Sequence, residues 1–323
     1  MESAQLEHVS VGNVEKALPG AASGSMVGAD SKQALGPSWR QLGKLYWQQY
    51  VFVFGTWVIL TLSERLVPYH HVMYNKDDDE FWKYSYPLRK DQVPPWAVPV
   101  IAFFGPACII LGFYLSGRLS RMETHHAILM AAACVSTNGV ITNLIKVGVG
   151  RHRPSFVARC WPSGGVPVFD PDGRPKCADD AVDPDEGRKS FPSGHTSWST
   201  AGLGYLTFWL LGKTRCFDGT PNPARFVVCL LPLGGALWIG LTRLQDYWHH
   251  VEDVAAGFAL GLLMAYCFYR QLYPGVLDPR AGTLTASLAA QGGNGVKSAS
   301  GVFGPLMTEV GDSGTYDRGD SRV

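Results

Sequence analysis

Long apolar runs alternate with polar connections through the middle of this chain, and neither end carries such a pattern. Apolar residues dominate 50–66, 94–116, 127–148, 195–211, 226–241 and 251–269. Runs of about 20 such residues are long enough to cross a bilayer as helices. The pattern therefore predicts an all-α fold: a multi-pass membrane bundle of six transmembrane helices. Pro232 and the pair Gly234 and Gly235 interrupt the fifth run, which predicts a kink or a close helix contact there. Ahead of the first run, Trp39, Arg40, Lys44, Tyr46, Trp47 and Tyr50 suit a short interfacial helix, since Trp and Tyr favour the headgroup level. The flanks are rich in Gly, Ala and Ser, so residues 1–38 and 275–323 are expected to be disordered tails around a membrane domain at 39–274. No internal repeat is visible.

Composition agrees once it is read by region. A mean hydropathy of +0.02 averages polar ends with apolar runs. The chain is 46% hydrophobic and 17% charged, with a net charge of +1. That balance offers no bulk electrostatic partner. Without a basic stripe interleaved with aromatics, nucleic acid is not expected as a ligand. The acidic run Asp77, Asp78, Asp79 and Glu80 matches no EF-hand spacing and reads as a solvated loop. Of seven cysteines, Cys108, Cys134, Cys229 and Cys267 lie in apolar runs and read as small hydrophobes. Cys160 and Cys177 share one polar loop; both a disulfide and free thiols remain open there. The first residues lack a short apolar stretch, so the first membrane helix is expected to act as the insertion signal.

Six crossings put both tails on one side and the odd-numbered loops on the other. Arg118 and Arg121, then Lys213, Arg215 and Arg225, fill the two short even loops. The excess of Lys and Arg in short cytoplasmic loops assigns these, and the tails, to the cytoplasm. The opposite side then holds three polar constellations.

The first is Lys146, six residues, Arg153 and Pro154, with Arg151 between. Alone, Lys146 reads as a snorkelling lysine. Gly148, Gly150 and Pro154 nevertheless allow the segment to turn an ammonium and a guanidinium toward one anion, and the planar guanidinium fork suits phosphate. The second is Pro192, Ser193, Gly194 and His195 at the start of an apolar run. A helix N-terminus binds anions through its free N–H groups and positive dipole end. Ser193 is a candidate donor and cap, and a histidine beside phosphate can protonate a leaving oxygen. The third is Arg243, five residues, His249, three residues, Asp253. A four-residue spacing on one helix would bring His249 and Asp253 to one face, so that the carboxylate orients the imidazole for attack. His249, His250, Glu252 and Asp253 do not form HExxH, and no metal site is expected. His125 and His126 are expected at the interface at the other end, without a catalytic role.

Together, in order and between membrane helices, these stretches resemble the three signature motifs of the type 2 phosphatidic acid phosphatase superfamily, over residues 46–274. The segments 187–195 and 269–274 look like its diacylglycerol pyrophosphate phosphatase-like branch, which includes phospholipid phosphatases. One departure is Thr242, where the family's third motif usually begins with Ser; the hydroxyl is kept. The resemblance implies a composite site on one membrane face, turned to the lumen or exterior. It implies that Lys146, Arg153, Ser193, Gly194 and Arg243 hold phosphate. His249 would attack to form a phosphohistidine, Asp253 would orient it, and His195 would act as acid and then base. It implies catalysis with no cofactor and no Mg²⁺, on a phospholipid substrate such as phosphatidate, lysophosphatidate or diacylglycerol pyrophosphate. A phosphoryl or headgroup transferase, and a non-catalytic lipid-binding scaffold, are the competing readings. Oligomeric state leaves no mark on the sequence.

Overall fold

The computed structural model describes residues 37–73, 80–164 and 166–285. The expected tail at 1–36, the acidic residues Asp77, Asp78 and Asp79, and 286–323 lie outside the described residues. Among the described residues eight α-helices follow in order: α1 (Trp39–Leu45), α2 (Trp47–Ser63), α3 (Ala97–Leu115), α4 (Arg121–Val149), α5 (Phe156–Cys160), α6 (Gly194–Lys213), α7 (Pro223–Gln245) and α8 (Val251–Leu272). Among the described residues there is no strand, only one isolated bridge between Phe169 and Pro175.

Among the described residues four helices, α3, α4, α7 and α8, are long and apolar enough to cross a membrane. The two other expected crossings depart from that measure for physical reasons. Helix α2 has 17 residues. Helix α6 has 20, but its sequence includes Ser197, Ser199, Thr200, Gly202 and Gly204. It packs against α3, α4, α7 and α8, and those five residues are all buried. A helix enclosed by protein faces little lipid, so it can trade bulk for close approach and hydrogen bonding. Asn138 on α4 donates to Ser197 Oγ at 2.8 Å, and Thr142 meets the same oxygen at 2.7 Å.

Close backbone contact sets the α3–α6 crossing. A Cβ on Gly202 would fall 2.0 Å from the Ala102 carbonyl oxygen, a backbone atom that cannot step aside. Gly202→Ala is therefore expected to lose about 3 kcal/mol of stability, the upper end of ordinary overpacking. Gly112→Ala meets nothing within 4 Å and should melt like wild type or slightly above. Thermal unfolding of both variants in detergent tests the pair; equal melting temperatures would refute the contact.

Boundaries differ from the apolar pattern where polar caps extend a helix. Helix α4 begins at Arg121, before its apolar run, because Ser120 caps it by accepting from the Glu123 N–H. His125 and His126 are thereby carried into the helix and buried. His125 Nε2 meets the Tyr50 hydroxyl at 2.6 Å, and His126 packs on the Tyr46 ring. Helix α7 runs through Pro232 to Gln245 and so includes Arg243. Residues 275–285 form turns that dock on the bundle: Lys213 pairs with Glu123 and donates to the Gly282 carbonyl, and Thr285 N–H donates to Leu272 O at 3.0 Å.

Candidate phosphate-binding active site

Backbone hydrogen bonds join the three constellations. At the end of α4, Gly150 takes φ 64° and sits against Tyr69, where a Cβ would lie 2.0 Å from the carbonyl oxygen. Glycine meets both demands. The chain then turns into 151–153, which pairs with the end of the long loop. Ser190 N–H donates to Arg151 O at 3.0 Å, and Arg153 N–H to Gly187 O at 2.9 Å. Ser193 N–H donates to Asp253 O at 2.9 Å, tying the second segment to the third. The same loop is clasped by a Cys160–Cys177 disulfide, which closes one alternative left open by the sequence.

These ties surround a cavity of about 460 Å³. Lys146, Arg153, Gly194, His195, Arg243 and His249 line it, with Glu64, Asp183, Glu186, Trp198 and Trp248. Six of the eight residues singled out in the sequence therefore reach one wall. Ser193 and Asp253 lie behind it.

Each cation is held differently. The Lys146 ammonium rests against Gly194, 2.9 Å from where a Cβ would stand, at the N-terminus of α6. Among the described residues it has no carboxylate or carbonyl partner within hydrogen-bonding reach. A cation held against the positive end of a helix favours an anion between them. Arg153 donates from Nε to Glu186 O at 2.8 Å and from Nη2 to the Glu186 carboxylate. Its guanidinium stacks on Trp248 with 4.6 Å to the ring centroid, and Arg159 lies 4.5 Å from that centroid. Arg243 is fully buried and paired with Asp91 and Asp246. Thr242 Oγ accepts from Arg243 Nε at 3.2 Å and from Nη2 at 3.1 Å, so the threonine at this position serves the arginine directly.

The histidines depart from the expected geometry in two respects. His249 is not on α8; it precedes the His250 N-cap, so the same-face helical spacing does not apply. Its Nδ1 lies 2.6 Å from the Ser190 carbonyl and 3.7 Å from the Asp253 carboxylate. Ser190, not Asp253, thus fixes the tautomer with the proton on Nδ1, and Nε2 keeps its lone pair. Asp253 is occupied elsewhere: it accepts from Arg151 at 2.7 Å, Ser190 Oγ at 2.5 Å and His250 N–H at 2.9 Å. A carboxylate at the third position of a helix is drawn to the free N–H groups of its own first turn. His195 Nε2 meets the Val93 carbonyl at 3.1 Å. The Ser193 hydroxyl makes no cap hydrogen bond and instead accepts from Thr196 Oγ at 2.9 Å.

Burial pushes His249 down to about 4, with the Asp253 charge partly countering it, so the ring is neutral near pH 7. Glu186 moves the other way from what burial alone would do. Burial would raise it, but the charges of Arg153, Lys146 and Lys189 outweigh burial and hold it low.

Several residues of the site escaped the sequence reading. Asp246 stands three residues after Arg243, a helical spacing that could have marked it. Asp91 and Val93 lie in a loop distant in sequence from the residues they hold, and nothing local signals them. Ser190 lies within residues 187–195 and Glu186 just before them, where nothing local marks the part either side chain plays. Among the described residues no group of three or more His, Cys, Asp or Glu is placed to share a metal ion.

Known proteins match the same region of the chain. The model of the PAP2 superfamily matches residues 127–275, which include all three constellations. "Lipid phosphate phosphatase 1" of Arabidopsis thaliana is 44% identical over 59% of this chain, and that match spans 58% of the relative's length. "Lipid phosphate phosphatase 2" of the same plant is 41% identical over 69% of this chain and 75% of its own. "Diacylglycerol pyrophosphate phosphatase 1" of Saccharomyces cerevisiae is 43% identical over 53% of this chain and 60% of its own. No solved structure gives a significant match. With the motifs gathered on one cavity and relatives of this similarity, the chain belongs to the PAP2 superfamily.

Proposed function

We propose that this protein is a magnesium-independent lipid phosphate phosphatase acting on phosphatidate, lysophosphatidate or diacylglycerol pyrophosphate through a phosphohistidine on His249. The observation that carries the reading is the convergence of Lys146, Arg153, Arg243, His195 and His249 on one cavity. The names of the relatives, which specify lipid phosphate and diacylglycerol pyrophosphate, support the substrate class. Three cations and the α6 N-terminus supply the positive charge that a transferring phosphoryl group needs.

In the proposed cycle, His249 Nε2 forms a bond to phosphorus as the phosphorus–oxygen ester bond breaks. His195 delivers a proton to the departing lipid oxygen. The same imidazole, now neutral, takes a proton from water, whose oxygen attacks phosphorus and releases His249 and inorganic phosphate. Asp253 acts by fixing Ser190 and Arg151 beside the nucleophile, and Ser193 by its backbone, as the Gly194 end of α6 faces phosphate.

The bundle is proposed to cross the membrane six times, with α2 and α6 as the two polar or short members. The site then opens to the lumen or exterior, and both tails are cytoplasmic. A disulfide in the loop that carries the site supports an oxidising compartment on that side.

Phosphate release from a panel of lipid phosphates, measured with EDTA present, tests the proposal. Release is expected to proceed undiminished. A strict Mg²⁺ requirement, or hydrolysis confined to water-soluble phosphate esters, would overturn it.

A further inference from the structure

We propose that Glu186 is a resident counter-anion of the phosphate cavity, which competes with phosphate for Arg153 and keeps the released product from lingering. The inference rests on the reading of the cavity as a phosphate site. Three carboxylates line that cavity, Glu64, Asp183 and Glu186, and among the described residues only Glu186 forms an ion pair with one of its cations. By contrast, Asp91 and Asp246, the partners of Arg243, do not line it. They serve to hold Arg243, whereas Glu186 stands where a second anion would have to come.

Arg153 is built to exchange that partner. Its Nε is held by the backbone carbonyl of Glu186 at 2.8 Å, its Nη2 by the side chain of the same residue and more distantly by Lys189 O at 3.4 Å. Its face rests on Trp248. Nη1 has no acceptor among the described residues. The Glu186 carboxylate can therefore leave without the guanidinium losing its aim, because the backbone contact and the indole remain. The Glu186 side chain is 32% exposed and belongs to a short 3-10 turn, Glu186–Arg188, in the loop ahead of α6. It faces Arg153 from the segment after α4, Lys146 from the last turn of α4, Lys189 from its own loop and His249 from before α8.

Two consequences follow for binding. Before substrate arrives, the carboxylate neutralises Arg153 and offsets part of the charge that would otherwise be buried without compensation. With phosphate present, the carboxylate and the phosphate oxygens repel each other in a site of reduced dielectric. The repulsion acts on substrate and product alike, but the free product has no lipid anchor to offset it, so the product is the species released.

Glu186→Gln removes the charge while keeping an oxygen for Arg153 Nη2; Glu186→Asp keeps the charge; Glu186→Ala removes both. Inorganic phosphate is used as a competitive inhibitor of lipid phosphate hydrolysis by the full chain in detergent micelles. For Glu186→Gln the inhibition constant is expected to fall about tenfold, with Glu186→Ala moving in the same direction and Glu186→Asp within about threefold of wild type. An unchanged or raised constant for Glu186→Gln overturns the inference, and if that variant does not fold, the Glu186→Ala constant decides by the same criterion. Absence of phosphate inhibition in wild type and in all three variants overturns the phosphate-site reading itself, a result distinguishable from a measurable constant that the substitution leaves unchanged.

Discussion

His249→Ala is expected to lower lipid phosphate turnover by about 10⁴-fold or more, the scale on which enzymes lose activity when a covalent nucleophile is removed. The geometry leaves no substitute. His249 is 3% exposed, on the cavity wall, with Nδ1 committed to the Ser190 carbonyl and Nε2 free. The neighbouring His250 cannot take over, because its Nε2 is 3.2 Å from the His152 carbonyl and its backbone caps α8. Turnover is to be measured as phosphate release from phosphatidate, and rapid acid-free quenching of radiolabelled substrate should trap a phosphoenzyme in wild type alone. A His249→Ala protein of wild-type melting temperature that works within tenfold of wild type would sink the proposed nucleophile.

Asp253→Asn is expected to cost about 10²- to 10³-fold in kcat, with KM changed by less than about threefold, less than a triad carboxylate directly bonded to its histidine would cost. The carboxylate sits 3.7 Å from His249 Nδ1, close enough for a charge contact but too far for a direct hydrogen bond. It holds Arg151, the Ser190 hydroxyl and the His250 N–H at once, and all three are donors. An amide can accept on one oxygen only and must turn its NH₂ toward one of these donors, so one contact is lost. Because Ser190 carries the carbonyl that orients His249, the disturbance reaches the nucleophile through the backbone. The pH profile separates this from a loss of folding. Only neutral His249 can attack, and burial pushes its pKa to about 4, with Asp253 raising it from where burial alone would leave it. The acid limb of kcat/KM should therefore lie near 4 in wild type, well below the ordinary histidine range, and fall further in Asp253→Asn. An acid limb that stays in place, or a loss confined to KM, would contradict this role.

The legible parts of the protein were those written in neighbouring residues. The apolar runs marked where the helices are, and Gly150, Pro154 and Gly194 marked the tight places from which Lys146, Arg153 and His195 reach the cavity. Helix ends were misplaced wherever a polar cap, such as Ser120 on α4, carried a helix beyond its apolar stretch. The pairing of His249 with Asp253 was inferred from a spacing of four on one helix. The two groups do come within 3.7 Å, but not through that spacing, because α8 begins at Val251, after the histidine, and Nδ1 is held by the Ser190 carbonyl.

Taken by itself, the sequence determined the class of the fold, the family resemblance and six of the residues that line the cavity. Those features depend on local periodicity and on short motifs, in which each residue constrains its neighbours within a few positions. Only the tertiary structure decided what holds each of them. Asp91 meets Arg243 across 152 residues, and Val93 meets His195 across 102. Such contacts depend on how the first loop and α3 settle against the central helix α6, which no spacing along the chain records. The polar face of α6 belongs to the same lesson. Its serines and glycines weaken it as a membrane signal, yet they permit the close packing with α3, α4 and α8 that brings the three segments together.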